Sequence, residues 1–440
     1  MMRPTQFPRH LWPLSLHFFR NRLFLGGFDL SELGRTVGTP LYLYDAATID
    51  HAISAYRRGM KVWPGRSLIT YASKAWLTLP LAQLLAHRKL GLDVVSPGEL
   101  TIALRADFNP ALLHLHGNNK PPALLQQAVN AGVGAIVVDN LYELSLLEVM
   151  SPPSPMALWL RLNPDLLAPT HAYRQTGHHG SKFGLARSDA LAAAQRIAAA
   201  PHLQLTGLHV HIGSGVFELA PMFEAIDRLI DLAADIEKEG WGVIRALSPG
   251  GGLGVPYHPD DPAMPLYQLV RQLCAYAADS WGRRHGGPHP VLILEPGRSL
   301  IARSGVAAYT VGAIRHLEDG SRIIAVDGGM SDNIRPALYG ARYTAALARA
   351  PLEESAGPAR IVGPLCESGD FLIEEVDLPE ARPGDVLLIP VSGAYHLSMS
   401  SHYNGVLHPP VYLHANSRLI PMQRRETLHD LMRRDMPLDL

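Results

Sequence analysis

The chain predicts an α/β protein, a (β/α)8 barrel followed by an antiparallel β domain. Short, continuously apolar runs alternate with Ala- and Leu-rich amphipathic stretches through the first two thirds of its 440 residues. That is how parallel strands covered by helices on both faces read. Eight such runs occur, the number that closes this kind of barrel. After about Arg298 the texture changes to strand-like runs joined by Gly, Pro and Asp turns, as in an antiparallel sheet.

In chain order, Pro40–Tyr44 is strand-like and expected to join the later β domain. Barrel strands are expected at Ser67–Tyr71, Gly91–Val95, Leu112–His116, Ala135–Val138, Leu158–Leu162, Thr206–His211, Ile244–Leu247 and Val291–Leu294. Ser188–Ala200 and Pro221–Lys238 read as two of the intervening helices. The β domain is expected to use Val306–Ile314, Arg322–Val326, Arg360–Val362 and Asp385–Ile389. Gln423–Asp435 reads as a charged C-terminal helix. The expected organisation is 1–45 as a segment joining the β domain, 46–300 as the barrel and 301–440 as the β domain.

Composition narrows the function. Hydrophobic residues make up 47% and charged residues only 18%, against roughly 25% charged in an average soluble domain, which argues against disorder. Lys plus Arg is 39 and Asp plus Glu is 40, so no basic excess points to nucleic acid or an anionic membrane. Two cysteines, Cys274 and Cys366, exclude a disulfide scaffold and a cysteine-rich zinc site. The N-terminal apolar patch Leu11–Phe19 is interrupted by His17 and flanked by arginines, unlike a secretory leader. No apolar run approaches the roughly 18 residues of a membrane span. A cytoplasmic enzyme is the expectation.

Barrel enzymes place their chemistry at the C-terminal ends of the strands. The first strand ends in Tyr71-Ala72-Ser73-Lys74, which directs an amine toward the mouth, suited to a Schiff base or, on the plainer reading, to solvent. The sixth ends in His209-Val210-His211 and then Gly213-Ser214-Gly215. Alternation puts the two histidines on one side. They could bind metal, but no carboxylate lies nearby in sequence to complete a site. An imidazole can instead stack on a planar ring, and Gly-Ser-Gly can hold a phosphate. The seventh ends in Gly250-Gly251-Gly252, where backbone can approach an anion at the usual barrel phosphate position. The eighth ends in Glu295-Pro296-Gly297-Arg298. A carboxylate facing a pyridine nitrogen keeps it protonated and makes the ring an electron sink. Taken in barrel order, these four motifs describe a pyridoxal phosphate site, with no metal required.

These residues resemble the fold-type III pyridoxal-phosphate decarboxylases, of the alanine racemase-like architecture, and most closely the diaminopimelate decarboxylases. The resemblance runs from about Gly26 to Asn404. It includes Leu115-His116-Gly117-Asn118-Asn119-Lys120, Thr176-Gly177, Ser181-Lys182-Phe183-Gly184, Asp332–Tyr339, Cys366-Glu367-Ser368-Gly369-Asp370 and Gly393-Ala394-Tyr395. It implies that Lys74 holds the cofactor covalently, that His211 stacks on its ring and that Glu295 pairs with its nitrogen. It implies further that Asp93, Ser214, Gly250, Gly251, Gly252, Gly297, Arg298 and Tyr395 complete the cofactor site. Arg298, Arg335 and Tyr339 would bind the substrate's distal carboxylate, and Glu367 with Ser368 its distal amine. Tyr395 would also touch substrate, and Cys366 would donate a proton. The implied reaction is decarboxylation of meso-2,6-diaminopimelate to L-lysine, the last step of lysine biosynthesis, in a homodimer whose Cys366 loop reaches the partner's site.

Three features depart from the family pattern. Trp76 replaces a small polar residue. Gly405-Val406-Leu407-His408-Pro409-Pro410 stands where an Arg-Pro-Arg-Pro stretch is usual. Gln175–Gly180 carries His178 and His179. The first two keep open a paralogue acting on a D-amino acid or on an amino acid held by a carrier protein. A non-catalytic cofactor-binding homologue and a racemase are the other classes, and both Lys74 and Cys366 argue for the decarboxylase.

Overall fold

The computed structural model describes residues 7–152, 154–166 and 180–438. Thr176, Gly177, His178 and His179 lie outside the described residues. The chain divides into two compact units. One comprises 52–255 and 264–300; the other comprises 1–51, 256–263 and 301–440. The stretch Pro256–Ala263, within the range read as barrel, groups with the β unit.

The first unit is a closed barrel of eight parallel strands. In order they are Ser67–Ala72, Gly91–Val94, Leu113–Leu115, Ala135–Val138, Met156–Leu162, Leu203–Val210, Ala246–Ser248 and Val291–Leu294. Ordinals below refer to this list. Sequence cues start the helices between them. Thr78, Ser96 and Asn140 each accept a backbone N–H three residues on, supplying a partner for a donor the helix leaves unpaired. The long helix Ala220–Lys238 buries Met222, Ile226, Leu229, Ile230 and Ala233, an apolar stripe at helical spacing. Inside the barrel, Ala135, Val137, Trp159, Ala246 and Ile293 pack together. Trp159 fits because Gly207 faces it: a Cβ at Gly207 would lie 2.5 Å from the indole. The pairing of the fifth and sixth strands slips between Leu205 and Gly207. Trp76 is buried, 3% exposed.

The second unit holds a three-stranded N-terminal sheet and a nine-stranded, mostly antiparallel sheet. Leu41–Asp45 joins the large sheet, antiparallel to Gly305–His316 and parallel to Val411–Ala415. Arg322–Val326 also pairs in parallel, with Pro358–Val362. The expected helix over Gln423–Asp435 is corrected. Arg418–Gln423 is a strand, and the helix covers only Leu428–Met432. Thr427 and Asp430 form a capping box that fixes the helix start, which stops it extending upstream. Among the described residues, no helix is long and apolar enough to cross a membrane.

Candidate active site

The barrel mouth gathers the predicted side chains of the first unit. Lys74 is exposed on a single 3-10 turn, Ser73–Ala75, whose flanking residues are buried. Ser73 Oγ donates to the Asp93 carbonyl at 2.5 Å, fixing the turn to the second strand. Gly297 lets the end of the eighth strand close on it: a Cβ there would sit 3.0 Å from Ala75 Cβ and 3.2 Å from the Ala72 carbonyl.

Glu295 is buried and held by both oxygens. Oε1 accepts from Ser248 Oγ at 2.5 Å, and Oε2 lies 3.0 Å from His209 Nε2. The carboxylate that sequence proximity did not offer to His209 therefore arrives from the eighth strand. His209 meets the His116 ring edge-on at 4.9 Å between centroids. His116 Nε2 and His114 Nδ1 lie 3.3 and 3.4 Å from Asp93 Oδ1. Two buried carboxylates thus share one mouth, and their environments drive them apart. Burial and the neighbouring Asp93 push Glu295 up to about 7. Burial pushes Asp93 up as well, but His116 and His114 outweigh it and hold the carboxyl well below the usual range. Opposed shifts within one cleft mark a site built for acid–base chemistry. Burial, reinforced by Lys74, keeps His211 well below its ordinary value. A neutral imidazole of this kind suits stacking on a ring.

The glycine run is a cradle that only glycine can line. A Cβ at Gly250 would lie 2.6 Å from the Val210 carbonyl; at Gly251, 2.0 Å from the Glu295 carbonyl; at Gly252, 2.3 Å from the Gly213 carbonyl. Gly250 and Gly252 also have φ of +76° and +108°, which side chains rarely tolerate. Gly215 and Val216 N–H both donate to the Gly252 carbonyl at 2.9 Å, tying this loop to the one after the sixth strand. Arg298 is buried and donates through Nη2 to Ser214 Oγ at 3.1 Å.

Two buried ion pairs escaped the sequence reading. Lys120 Nζ lies 2.8 Å from each oxygen of Glu143 and donates to the Gly117 and Val137 carbonyls at 2.7 Å. Arg161 Nη1 is 3.4 Å from Asp139 Oδ1, and its guanidinium lies over the Phe183 ring at 4.4 Å. Asp139 Oδ2 also accepts from Gly184 N–H at 3.1 Å, which anchors the Ser181–Gly184 turn. A charged residue just after an apolar strand was the available signal, and Lys120 and Asp139 both carry it.

The β unit carries the remaining predicted residues. Arg335, at the start of the helix Arg335–Tyr339, is buried with its guanidinium over the Tyr257 ring at 4.5 Å. It donates to the Tyr343 hydroxyl, which lies 2.9 Å from His396 Nε2. His396 Nδ1 lies 3.2 Å from the Tyr42 hydroxyl. Tyr257 had not been singled out; it comes from the segment that groups with this unit. Tyr339 and Tyr395 are half-buried, and Tyr395 has φ of +63°. Cys366, Glu367 and Ser368 share one exposed loop. Buried Asp370 braces it by accepting Leu365 N–H at 2.7 Å and Met330 N–H at 2.6 Å. Cys366 N–H donates to Asn404 Oδ1 at 3.1 Å.

The family described as "Pyridoxal-dependent decarboxylase, pyridoxal binding domain" matches residues 47–302, which defines the class. The diaminopimelate decarboxylase of Bacillus subtilis (strain 168) is 37% identical over 417 residues, covering 94% of this chain and 95% of its own. The crystal structure of diaminopimelate decarboxylase from Helicobacter pylori complexed with L-lysine superposes with a TM-score of 0.83 at 34% identity, covering 91% of this chain and 98% of that one. The M. jannaschii enzyme in co-complex with L-lysine gives 0.88 at 29% identity, with 97% and 98% covered. The chain belongs to the diaminopimelate decarboxylase family of pyridoxal-dependent decarboxylases. The barrel residues fit the cofactor. The glycine cradle offers backbone where a phosphate needs it, Glu295 is a buried carboxyl for a ring nitrogen, and Lys74 is an exposed amine.

Proposed function

We propose that this enzyme decarboxylates meso-2,6-diaminopimelate to L-lysine and CO2. The observation that carries the reading is the barrel mouth, a lysine, a neutral histidine, a glycine cradle and a shifted buried carboxyl on successive strand ends, in a chain whose relatives are named for this substrate. When bound, pyridoxal phosphate supplies an electron sink for the pair left behind as CO2 departs. Lys74 would hold it covalently through its amine. Glu295 keeps a proton on the ring nitrogen, and His209 and Ser248 fix the orientation of that carboxyl. His211 would stack on the ring, and Asp93, beside His114 and His116, would help to line the cofactor site. Gly250, Gly251, Gly252, Ser214, Gly297 and Arg298 take the phosphate, and Tyr395 takes the cofactor and substrate edge.

Substrate selection falls to Arg298, Arg335 and Tyr339 for the distal carboxylate. A guanidinium matches it bidentately. Glu367 and Ser368 take the distal ammonium. Cys366 delivers the proton to the carbon that lost CO2, as a general acid. Diaminopimelate carries both distal charges, whereas lysine and ornithine lack the carboxylate. Their binding leaves buried arginine unpaired, at a cost of about 1–3 kcal/mol or more. The working form is a homodimer in which the Cys366 loop serves the partner's site, and its setting is the cytoplasm.

The test is CO2 release and product identification from purified holoenzyme given meso-diaminopimelate, L- and D-lysine, L- and D-ornithine, and L-arginine. The reading requires turnover confined to meso-diaminopimelate, with L-lysine as product. Silence on it with cofactor bound refutes the reading and transfers the assignment to a paralogue specificity, with Trp76 and Gly405–Pro410 as its source.

A further inference from the structure

Among the described residues, a group of metal-ligand side chains lies in the β unit, made by His402, His408 and Glu426. One member, His408, lies in the Gly405–Pro410 stretch where this chain departs from its family's usual sequence. His402 Nε2 lies 2.7 Å from Glu426 Oε2, and His408 Nδ1 lies 3.1 Å from the same oxygen. The two imidazole rings are 4.1 Å apart between centroids.

The backbone helps to bring the three together. Asn404 and Gly405, with φ of +53° and +71°, reverse the chain between the histidines. Gly405 N–H donates to the His402 carbonyl at 2.8 Å. Glu426 N–H donates to the His408 carbonyl at 3.2 Å, and His408 N–H returns a bond to Glu426 Oε2 at 2.9 Å. The neighbouring cations face away. Arg424 pairs with Asp430, and Arg425 donates to the Gly38 and Pro40 carbonyls. Glu426 is therefore the carboxylate that the two imidazoles share.

We infer that His402, His408 and Glu426 form a binding site for a divalent transition-metal ion of the zinc class, coordinated through His402 Nε2, His408 Nδ1 and a Glu426 oxygen. Two imidazoles and one carboxylate suit zinc, nickel, cobalt or copper rather than magnesium or calcium, which prefer all-oxygen sets. Tetrahedral zinc with bonds of about 2.0–2.1 Å places its ligand atoms about 3.3 Å apart. The observed 2.7 and 3.1 Å are within about 0.6 Å of that spacing. The ion takes the imidazole lone pairs, so a proton on either histidine is released to solvent on binding. Water fills the fourth position. The ion braces the turn that carries Asn404, whose side chain holds Cys366 N–H.

The experiment is calorimetric titration of chelator-treated, desalted holoenzyme with Zn2+, alongside Mg2+. The same titration is run on His402→Asn, Glu426→Gln and the double variant, each checked for native cofactor absorbance. The expected result is one Zn2+ per chain, no response to Mg2+, and affinity weakened at least about a hundredfold by each substitution. Variants that titrate like the wild type, or a wild type that takes up no Zn2+, overturn the site. The latter outcome leaves a plain histidine–carboxylate ion pair. X-ray absorption of the zinc-loaded wild type gives a readout independent of the variants. Two imidazoles with oxygen support the site, and a sulfur ligand contradicts it.

Discussion

The barrel mouth and the Cys366 loop do their work under opposite physical regimes. In the mouth, Asp93, His114, His116, His209 and Glu295 are all buried, with Asp93 Oδ1 3.3–3.4 Å from two of the histidines and Glu295 3.0 Å from the third. In the loop, Cys366, Glu367 and Ser368 are exposed and positioned by backbone bonds to Asp370 and Asn404. Low dielectric makes each charge in the mouth costly to leave unpaired: burial raises Glu295, while His116 and His114 outweigh the same burial at Asp93. Solvent exposure makes the loop's positioning a matter of single hydrogen bonds. Electrostatic tuning thus belongs to the barrel, and adjustable placement to the loop.

This contrast sets the order of expected effects. Lys120→Met leaves Glu143 as a buried, unpaired carboxylate, and breaking such a pair costs about 3–5 kcal/mol. Thermal or denaturant unfolding of the holoenzyme should show that loss, and a change within error would mean the pair is not part of the barrel's stability.

The pH profile sharpens the comparison next. Glu295 is raised to about 7, so in cofactor-free protein it keeps a proton that the unfolded chain has released. Its contribution to stability is complete below the ordinary carboxylate range and is lost as pH rises through 7. Relative to Glu295→Gln, cofactor-free wild type should lose up to about 3 kcal/mol between pH 4 and 8. Parallel profiles would remove the shifted carboxyl from the account.

In the loop, Cys366→Ser should lower turnover about a hundredfold while the cofactor stays bound. Full activity would exclude Cys366 as proton donor. Asn404→Ala removes one exposed bond to the loop. It should cost only a few-fold in rate and roughly 1 kcal/mol or less in stability. A loss as large as that of Cys366→Ser would show the loop to be more rigidly specified than its exposure indicates.

Much of the barrel was legible from sequence because its strands are short apolar runs, and its chemistry sits where each run ends. Lys74, Gly250–Gly252 and Glu295 could be placed from that rule alone. The partners of those residues could not. Glu295 meets His209 across a sequence separation of 86, and Lys120 meets Glu143 only because the third and fourth strands are neighbours in the closed barrel. Such pairs follow from closure, which local pattern does not encode. The β unit was harder to read. Tyr257 reaches Arg335 from a segment inside the barrel's sequence range, and the charged stretch from Gln423 to Asp435 read as one helix where only Leu428–Met432 is helical.

The central claim is that the barrel mouth anchors pyridoxal phosphate through Lys74. Borohydride reduction of the holoenzyme, followed by peptide mass mapping, tests it directly. The account predicts the reduced cofactor on Lys74 alone, with Lys120 unmodified because Glu143 and two carbonyls already hold its amine. Label on Lys120 or another lysine, or none on Lys74, would contradict it.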